Sequence, residues 1–419
     1  MKRIRTLNTL DATVSVPGSK SYTQRALIIA SLAEGRSLLH HALISEDTTY
    51  LMEALRSLGA GILACGTDIR VIGTGGAMQN PGKTLFLGNN GTALRFLTTL
   101  AALSEGAVTL DGSDRLRERP VEPLINALGG LGVSCHSTNG CPPVVIEEGG
   151  LRGGRAVFTD TQSSQYISSL LIGAPYAQQD VAVELRGSTV SLPYIDMTVD
   201  VMRHFGVKIT REEGGMYLVR AGQRYEGGEY GIEGDVSSAS YFYLAAALCR
   251  GKVRVSNIQP TTVQGDIGLL AIMERVGCNV RKGKNWVEVT GGPLCAGEFC
   301  FDMREMPDMV PTLAVLSAFR SGQTVITGAS HLRLKESDRI EALVTELNRT
   351  GIDAREREDG LVIEGGDPHG ARIETYNDHR IAMSFAVAGL AAEGMEIKNE
   401  ACVGKSFPGF WDEMEGLYP

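Results

Sequence analysis

The stretch "GSKSYTQRALIIASLAEG", residues 18–35, places a polar segment with two cations ahead of a nearly apolar run that ends at glycine. Small polar residues typically cap the start of a helix, and a left-handed glycine typically closes its end. The stretch therefore predicts a helix buried on nearly all sides. Lys20 and Arg25 then lie near its positive end, where the helix dipole disfavours a cation by about 0.3–1 kcal/mol. An anionic ligand bound at the helix start offsets that cost.

Similar apolar runs recur along the chain. They end at Gly35, Gly106, Gly251, Gly322 and Gly394, with spacings of 71, 145, 71 and 72 residues. The double interval holds a sixth run, Ser163 to Gly173, which Pro175 follows. Self-similarity at a fixed period predicts repeated structural units, here six of them.

A second, amphipathic helix is predicted after each of the first five buried helices, with apolar residues at i, i+3, i+4 and i+7. The sets are Leu51, Ala54, Leu55 and Leu58; Val121, Leu124, Ile125 and Leu128; Ile195, Val199, Met202 and Phe205; Leu269, Ile272, Met273 and Val276; and Ile340, Leu343, Val344 and Leu347. Thr198 takes one apolar slot in the third set. Each helix leads into a glycine and a hairpin, and a sixth amphipathic helix is predicted over Ser406 to Leu417.

The repeated unit reads as strand, buried helix, strand, amphipathic helix and hairpin, which is a mixed α/β (α+β) pattern. One helix per unit is apolar nearly all round, so three units are expected to wrap around a common centre and form a domain. The dividing point lies near Gly234, in "YGIEGDVSS". We expect one domain over residues 20–233 and a second over residues 1–19 and 234–419, although the N-terminal strand could pair with either half.

The composition excludes several classes of protein. The 49 acidic residues outnumber the 40 Lys and Arg residues, for a net charge of −9, so no overall basic field attracts nucleic acid or an anionic membrane. The longest apolar runs are about nine residues, short of the ~20 that span a bilayer. Polar residues after the N-terminal charges argue against a signal peptide. We expect a cytoplasmic monomer whose anion site is built locally.

Motifs for metals and nucleotides are incomplete. In "CHSTNGC", residues 135–141, a fourth zinc ligand is missing. "PGKT", residues 81–84, resembles the end of a phosphate-binding loop, but Ala77 stands where that loop needs glycine. "GTGGAM", residues 73–78, lacks the last glycine of the dinucleotide fingerprint and opens no helix. No Ser-His-Asp order suggests a covalent nucleophile. We predict neither a metal nor an organic cofactor.

The buried helices are predicted to begin with small and polar residues that cap them: Ser19-Lys20-Ser21, Asn89-Asn90-Gly91-Thr92, Thr161 to Gln165, Asp235 to Ser238 and Asn377 to Arg380. Cations gather at the predicted helix starts. Those in question are Lys20, Arg25, Arg95, Arg119, Lys335, Arg339 and Arg380. A lone arginine there is usually a solvated surface residue, but seven at corresponding places of a repeat point to a site for a polyanion. Asp308 and Glu336 are acid–base candidates, unless they serve only as helix caps. They favour an enzyme over a repeat scaffold that merely binds anions.

Nine segments in one order resemble the 5-enolpyruvylshikimate-3-phosphate synthases, a family of enolpyruvyl transferases. They are "PGSKSYTQR", "GNNGTALRF", "RLRERP", "SSQY", "LPYID", "PDMVPT", "LKESDR", "NDHR" and "GKSFPGFW", and together they span the chain. The resemblance implies an inside-out barrel with three units per domain, an active site in the cleft between the domains and closure on substrate. It also implies enolpyruvyl transfer from phosphoenolpyruvate to the 5-hydroxyl of shikimate 3-phosphate, the sixth step of the shikimate pathway, with no metal or cofactor.

The resemblance assigns roles to residues of this chain. For shikimate 3-phosphate it implies Lys20, Ser21, Arg25, Ser163, Ser164, Gln165, Ser191, Tyr194, Asp308 and Lys335. For phosphoenolpyruvate it implies Lys20, Gly91, Arg119, Gln165, Arg339, Arg380 and Lys405. Asp308 resembles the base for the 5-hydroxyl, while Lys20 and Glu336 are candidates for moving the methylene proton.

Some positions depart from the family pattern. His331 stands where asparagine often contacts shikimate 3-phosphate, so we leave it out of the predicted site. Asn90 and Phe96 differ beside the phosphoenolpyruvate loop, which leaves sensitivity to glyphosate open. The alternative is the UDP-N-acetylglucosamine enolpyruvyl transferase of the same fold. That family typically has a lysine-asparagine pair and a reactive loop cysteine, whereas this chain has Lys20-Ser21 and no cysteine in "DGSDRLRERPVEP".

Overall fold

The computed structural model describes residues 1–147, 150–212 and 214–418. The chain divides into two compact units. We call Gly18–Ile232 the continuous unit, and Met1–Pro17 with Glu233–Pro419 the split unit. Compared with the predicted boundaries, Gly18 and Ser19 fall in the continuous unit and Glu233 in the split unit. Glu213, in the turn of one predicted hairpin, lies outside the described residues.

Buried and amphipathic helices alternate along both units. In the continuous unit the helices are α1 Lys20–Leu32, α2 Glu46–Ser57, α3 Gly91–Ala101, α4 Glu122–Gly130, α5 Ser164–Gly173 and α6 Pro193–His204. In the split unit they are α7 Val236–Leu248, α8 Leu269–Arg275, α9 Val310–Ala318, α10 Arg339–Arg349, α11 His379–Ala388 and α12 Phe410–Glu415. Within the part of the chain that the structure describes, no helix has both the length and the apolar surface to cross a bilayer.

Four-stranded sheets with one recurring order build the continuous unit. Its strands are β3 Arg36–His40, β4 Gly61–Cys65, β5 Asp68–Ile72, β6 Leu85–Phe86, β7 Val108–Asp111, β8 Cys135–Thr138, β9 Cys141–Ile146, β10 Gly154–Thr161, β11 Val181–Thr189, β12 Ile209–Glu212, β13 Met216–Val219 and β14 Glu229–Gly231. The sheet orders are β14-β3-β5-β4, β6-β7-β9-β8 and β10-β11-β13-β12. In each sheet the first pair is parallel and the other pairs are antiparallel.

The split unit has two sheets of the same kind and a shorter one. Its strands are β1 Lys2–Arg3, β2 Asp11–Val14, β15 Lys252–Val255, β16 Asn279–Lys282, β17 Val287–Thr290, β18 Phe299–Asp302, β19 Gly322–Thr327, β20 Asp353–Arg357, β21 Gly360–Gly365, β22 Arg372–Ile373 and β23 Glu396–Ile397. The orders are β2-β15-β17-β16, β18-β19-β21-β20 and β1-β23-β22. The parallel pairs β18-β19 and β22-β23 are each joined through a helix, α9 and α11, which is the crossover connection that parallel strands require.

The pairing of the N-terminal strand, left open by the sequence, is settled by the register. β2 runs parallel to β15, with Val14 opposite Val255, so it belongs to the split unit. The corresponding edge position in the first sheet of the continuous unit is filled by β14, with Tyr230 opposite Leu39. The continuous unit therefore completes its first sheet with a strand from its C-terminal end, and the split unit does so with a strand from its N-terminal segment.

The buried helices form the core of each unit. Those of the continuous unit are α1, α3 and α5, and those of the split unit are α7, α9 and α11. Five of them begin at the predicted polar caps, whose side chains accept a first-turn backbone N–H: Ser19, Asn90, Ser163, Asp235 and Asp378. Such a cap stabilises a helix by about 0.5–2 kcal/mol. These cap predictions are confirmed, whereas α9 starts without a side-chain cap.

The predicted glycine stops have the left-handed backbone at four of five positions, but they do not cap their helices, which end three to six residues earlier, at Leu32, Ala101, Ala318 and Ala388. Gly35, Gly106, Gly322 and Gly394 have positive φ. The prediction for Gly251 is wrong, because Arg250 takes the left-handed conformation instead, with φ 49°. Gly251 is required for close packing instead, because a Cβ there would lie 2.4 Å from the carbonyl oxygen of Leu10.

The predicted C-terminal helix is also shorter than expected. It spans Phe410–Glu415 rather than Ser406 to Leu417. Pro408 disfavours helical backbone at the residue before it, and Gly409 is the cap. The segment ahead of it forms a 3₁₀ turn over Glu400–Lys405 instead.

Candidate active site

The starts of α1, α3 and α5 are linked by polar contacts within the continuous unit. Lys20 is the first residue of α1, and its Nζ lies 3.3 Å from Oδ2 of Asp47. The backbone carbonyl of Asp47 accepts a hydrogen bond from the side chain of Asn90, at 2.8 Å. Gln165 on α5 donates to the hydroxyl of Thr92 on α3, at 3.0 Å. The N-termini of α1, α3 and α5 thus belong to one network, and helix N-termini favour anions.

Asp47 is a partner that the sequence reasoning missed. It lies in the first turn of α2, where an acidic residue is favourable, and it is 2% exposed. The available signal was the polar start "SEDTT", residues 45–49, ahead of an apolar pattern. Lys20 is therefore paired with a buried carboxylate of the same unit.

Two guanidinium groups pack against the first residue of α3. Arg119 is 4% exposed and donates to the carbonyl of Asn89 at 3.2 Å. Arg95 donates to the carbonyls of Gly91 and Pro120, both at 3.0 Å. A Cβ at Gly91 would lie 2.6 Å from Cζ of Arg119 and 2.3 Å from Nη1 of Arg95. Only glycine lets both cations approach this helix start.

Arg25 is 1% exposed, and each of its three nitrogens donates a hydrogen bond within the protein. Its Nε donates to Thr198 at 2.7 Å, and its two terminal nitrogens donate to the carbonyls of Ser21 and Tyr194 at 3.0 Å each. Burial lowers the pKa of Arg25 to about 10, so the group remains charged at neutral pH. Arg25 therefore ties α1 to α6, and Thr198 interrupts the apolar pattern of α6 because it accepts from this cation.

Three serines supply hydroxyls near the start of α5 and the turn before α6. Ser163 caps α5, and Ser164 is its buried first residue. Ser191 is buried with φ 60°, in the turn between β11 and α6. Hydroxyls combined with helix-start amides are typical ligands of a phosphate group.

In the split unit, carboxylates surround the buried guanidinium of Arg339. The group is 1% exposed and contacts Asp308 at 3.0 Å, Glu336 at 2.9 Å and Asp378 at 2.8 Å. Arg380 contacts the other oxygen of Asp308 at 2.6 Å. Asp308 thus lies between two guanidinium groups. Asp378 was expected only as a helix cap, and its second role in this cluster was missed.

The cluster sets the charge of its members. Burial raises the pKa of Asp308, but Arg380, Arg339 and Lys335 outweigh it and hold that pKa well below the usual range. Burial opposes the charge of Arg339, yet its three carboxylate partners raise its pKa above the ordinary value. Both groups are therefore ionised at neutral pH. Asp266, whose carboxylate accepts from Ser237, behaves oppositely, because burial and the charge of Asp308 raise its pKa to about 7.

His331 and Lys405 are also buried in the split unit. His331 is 3% exposed, and neither ring nitrogen has a hydrogen-bond partner in the described part of the chain. Burial, followed by the charge of Lys335, lowers the pKa of His331 to about 3, so the ring is neutral. Lys405 is 6% exposed and ends the 3₁₀ turn that packs against α11.

The predicted site residues thus fall into two groups. The continuous unit holds Lys20, Ser21, Arg25, Gly91, Arg119, Ser163, Ser164, Gln165, Ser191 and Tyr194. The split unit holds Asp308, Lys335, Glu336, Arg339, Arg380 and Lys405. Among residues 1–147, 150–212 and 214–418, no group of three or more His, Cys, Asp or Glu side chains is arranged to hold a metal ion.

Comparison with known proteins places the chain in a family. The model of EPSP synthase (3-phosphoshikimate 1-carboxyvinyltransferase) matches residues 4–414. The chain belongs to the EPSP synthase family. A 3-phosphoshikimate 1-carboxyvinyltransferase from Nostoc punctiforme is 42% identical over 96% of this chain and 95% of its own length. One from Syntrophobacter fumaroxidans is 42% identical over 99% of both chains.

The fold of this EPSP synthase family member agrees with a solved structure. The EPSP synthase from Acinetobacter baumannii superimposes with a TM-score of 0.81 at 28% sequence identity. The match covers 99% of this chain and 97% of the other. The mixed α/β fold expected from the repeats is therefore that of the family.

Proposed function

We propose that this chain is a 3-phosphoshikimate 1-carboxyvinyltransferase. It transfers the enolpyruvyl group of phosphoenolpyruvate to the 5-hydroxyl of shikimate 3-phosphate and releases inorganic phosphate. The observation that carries the proposal is Asp308, an ionised carboxylate held between Arg339 and Arg380 in a chain that matches the family over residues 4–414. A potential base beside two cations suits a reaction between a hydroxyl and a doubly anionic substrate.

The finer architecture belongs to the same proposal. We propose six repeats of strand, helix, strand, helix and hairpin. Three lie in the continuous unit and three in the split unit, as in the family's inside-out barrel. The recurring sheet order and the three buried helices of each unit support it.

The group in the continuous unit binds shikimate 3-phosphate. Ser163, Ser164 and Ser191 hold its phosphate through their hydroxyls and the amides at the start of α5. Lys20, Ser21, Gln165 and Tyr194 contact the rest of the substrate, together with Asp308 and Lys335. Arg25 acts on this substrate by fixing Ser21 and Tyr194, whose carbonyls accept its N–H groups.

Phosphoenolpyruvate needs cations for both its phosphate and its carboxylate. Arg119 lies beside Gly91, at the start of α3, where the backbone amides add to its charge. Arg339, Arg380 and Lys405 of the split unit, with Lys20 and Gln165, complete the set. Arginine suits these planar anionic groups because it binds them with two parallel hydrogen bonds.

The reaction is an addition followed by an elimination. In the addition, the 5-hydroxyl oxygen bonds to C2 of phosphoenolpyruvate, its proton passes to Asp308, and C3 gains a proton to become a methyl group. In the elimination, that methyl group loses a proton while the bond from C2 to the phosphate oxygen breaks. The double bond between C2 and C3 is restored, now as the enol ether of the product, and phosphate leaves. Lys20 and Glu336 are the candidates for delivering and removing the proton at C3.

Substrate binding prepares Asp308 for its role. With both guanidinium groups in contact, its low pKa makes it a weak base. An anionic substrate competes with Asp308 for Arg339 and Arg380. Each guanidinium group that turns from Asp308 to the substrate raises the pKa of the carboxyl and makes it a stronger base.

The test is a phosphate-release assay with each substrate alone, both together, and UDP-N-acetylglucosamine in place of shikimate 3-phosphate. We expect phosphate only when shikimate 3-phosphate and phosphoenolpyruvate are both present, with the enolpyruvyl ether detected by mass spectrometry. Release with UDP-N-acetylglucosamine would overturn the assignment in favour of the related transferase.

A further inference from the structure

One face of α10 contacts the segment before α11 at two points. Arg339 and Glu346 are seven residues apart, so they lie on the same side of the helix. Arg339 binds Asp378, the cap of α11. Glu346 accepts hydrogen bonds from the hydroxyl of Tyr376 at 2.8 Å and from the backbone N–H of Glu374 at 3.1 Å.

The segment held by Glu346 has an unusual backbone. Tyr376 and Asn377 are consecutive non-glycine residues with φ of 54° and 55°. The left-handed region is uncommon for such residues, above all for a bulky aromatic one, so contacts outside the segment must hold it there. The side chain of Asn399 donates to that of Asn377, at 3.1 Å, and precedes the 3₁₀ turn that ends at Lys405. The left-handed turn at Tyr376 and Asn377 therefore contacts α10 and the 3₁₀ turn and leads into α11. Each of these segments carries a cation predicted for phosphoenolpyruvate: Arg339, Lys405 and Arg380.

Glu346 is suited to fix this turn. It is 0% exposed, and Arg349 provides a counter-charge at 3.2 Å. Burial and the neighbouring carboxylate raise the pKa of Tyr376 to about 12, which keeps its hydroxyl a donor. The turn leads directly into Asp378, whose carboxylate accepts the backbone N–H of Arg380 at 2.9 Å. A displaced turn would therefore displace the start of α11 and its arginine.

We propose that Glu346 is a positioning residue, which holds the left-handed turn at Tyr376 and Asn377 and thereby places Arg380 to bind phosphoenolpyruvate. The inference rests on the proposed function. Glu346 touches neither substrate in this account, and it acts through the turn. Its loss should therefore weaken the use of phosphoenolpyruvate more than that of shikimate 3-phosphate.

The test compares Glu346→Gln with Glu288→Gln. Glutamine replaces one of the two accepting oxygens of Glu346 by an amide donor, and it removes the charge that pairs with Arg349. Glu288 is a matched control, since it is also a buried glutamate paired with an arginine, Arg254 at 2.8 Å, on β17 of the same unit. Tyr376→Phe removes only the hydrogen bond from the Tyr376 hydroxyl to Glu346. It replaces Glu346→Gln in the test if that variant does not fold.

The first measurements are KM for each substrate and kcat. For Glu346→Gln we expect KM for phosphoenolpyruvate to rise about tenfold or more, the effect of one weakened charge-assisted contact, with KM for shikimate 3-phosphate nearly unchanged. Tyr376→Phe should show the same split to a smaller extent, and Glu288→Gln should leave both KM values near wild type. Equal changes for both substrates, or a phosphoenolpyruvate KM unchanged in the folded variants, would overturn the proposal.

A second measurement does not depend on turnover. Amide hydrogen exchange over residues 374–382 should be faster in Glu346→Gln than in wild type and unchanged in Glu288→Gln. Unchanged exchange in Glu346→Gln contradicts the inference even if the wild-type enzyme is active. A wild-type protein that releases no phosphate rejects the proposed function instead, so the two failures are distinguishable.

Discussion

Replacing Gly91 by alanine isolates the contribution of the guanidinium groups at the start of α3. The new Cβ would lie 2.3 Å from Nη1 of Arg95 and within 2.8 Å of the Nη2 of Arg119. Both distances are too short for contact, so a neighbour must move. The atoms concerned are the ends of flexible side chains, and the backbone of Gly91 has no positive φ. The fold should therefore tolerate alanine, while the cations are displaced.

The two energetic effects of this substitution have opposite signs. A hydrogen bond to a charged group contributes about 1.5–3 kcal/mol, so losing one from Arg119 to phosphoenolpyruvate weakens binding by about ten- to a hundredfold. Replacing a helical glycine by alanine instead stabilises a protein by about 0.5–1 kcal/mol. We expect KM for phosphoenolpyruvate to rise about ten- to a hundredfold. KM for shikimate 3-phosphate and the free energy of unfolding should change little.

The measurement is steady-state phosphate release, combined with urea unfolding. Gly129→Ala is the matched control, because Gly129 lies in α4 and a Cβ there meets no atom within 4 Å. It should gain stability and keep both KM values. The reasoning is refuted if Gly91→Ala binds phosphoenolpyruvate like wild type, or if it loses stability and both substrates together.

Three further outcomes follow from buried charges. Arg380→Ala removes one of the two guanidinium groups on Asp308. We expect kcat/KM to fall by about 10²–10⁴, the decrease expected for removing a buried charged group. Near-normal turnover would count against the site. Thr198→Val leaves the Nε of buried Arg25 without its acceptor, and the free energy of unfolding in urea should fall by about 1–3 kcal/mol. Thr189→Val is the control, because the hydroxyl of Thr189 has no partner among the described residues, and it should lower the stability much less. The carboxyl of Asp266 has a pKa of about 7 when folded and about 3.9 when unfolded, so the folded state binds more protons and stability falls as pH rises through that interval. In Asp266→Asn, the difference between unfolding free energies at pH 5 and pH 8 should shrink; an unchanged pH dependence would contradict it.

Much of the fold was readable from the sequence because the same local rules are repeated. Every residue predicted for the apolar stripe of α2 is buried, and five helix caps lie where small polar residues precede an apolar run. The partner of the N-terminal strand was not readable. β2 and β14 are both short, and the choice between them depends on pairings 191 and 241 residues apart. Arg250 in place of Gly251 likewise depends on a distant carbonyl, that of Leu10.

The candidate site was only partly readable, because charge in a sequence does not reveal its partners. Arg25, inside the buried helix α1, and Arg339, at the start of the amphipathic helix α10, have the same side chain. One donates to a hydroxyl and two carbonyls, while the other binds three carboxylates. Glu346 gave no signal at all, since a glutamate inside an amphipathic helix usually faces solvent. Its role is visible only once the turn at Tyr376 is known.

An acidic protein that binds polyanions must keep its cations in place while no ligand is bound. Here buried carboxylates do so, with Asp47 on Lys20, and with Asp308 on both Arg339 and Arg380. These ion pairs hold the cations near the helix starts against mutual repulsion, but each must weaken before a substrate can take its place. In the proposed mechanism, binding affinity is therefore the difference between two sets of ion pairs, and Asp308 has a second role besides that of the base. There, its affinity for the two guanidinium groups opposes substrate binding, and its release from them gives it the basicity that the next step uses.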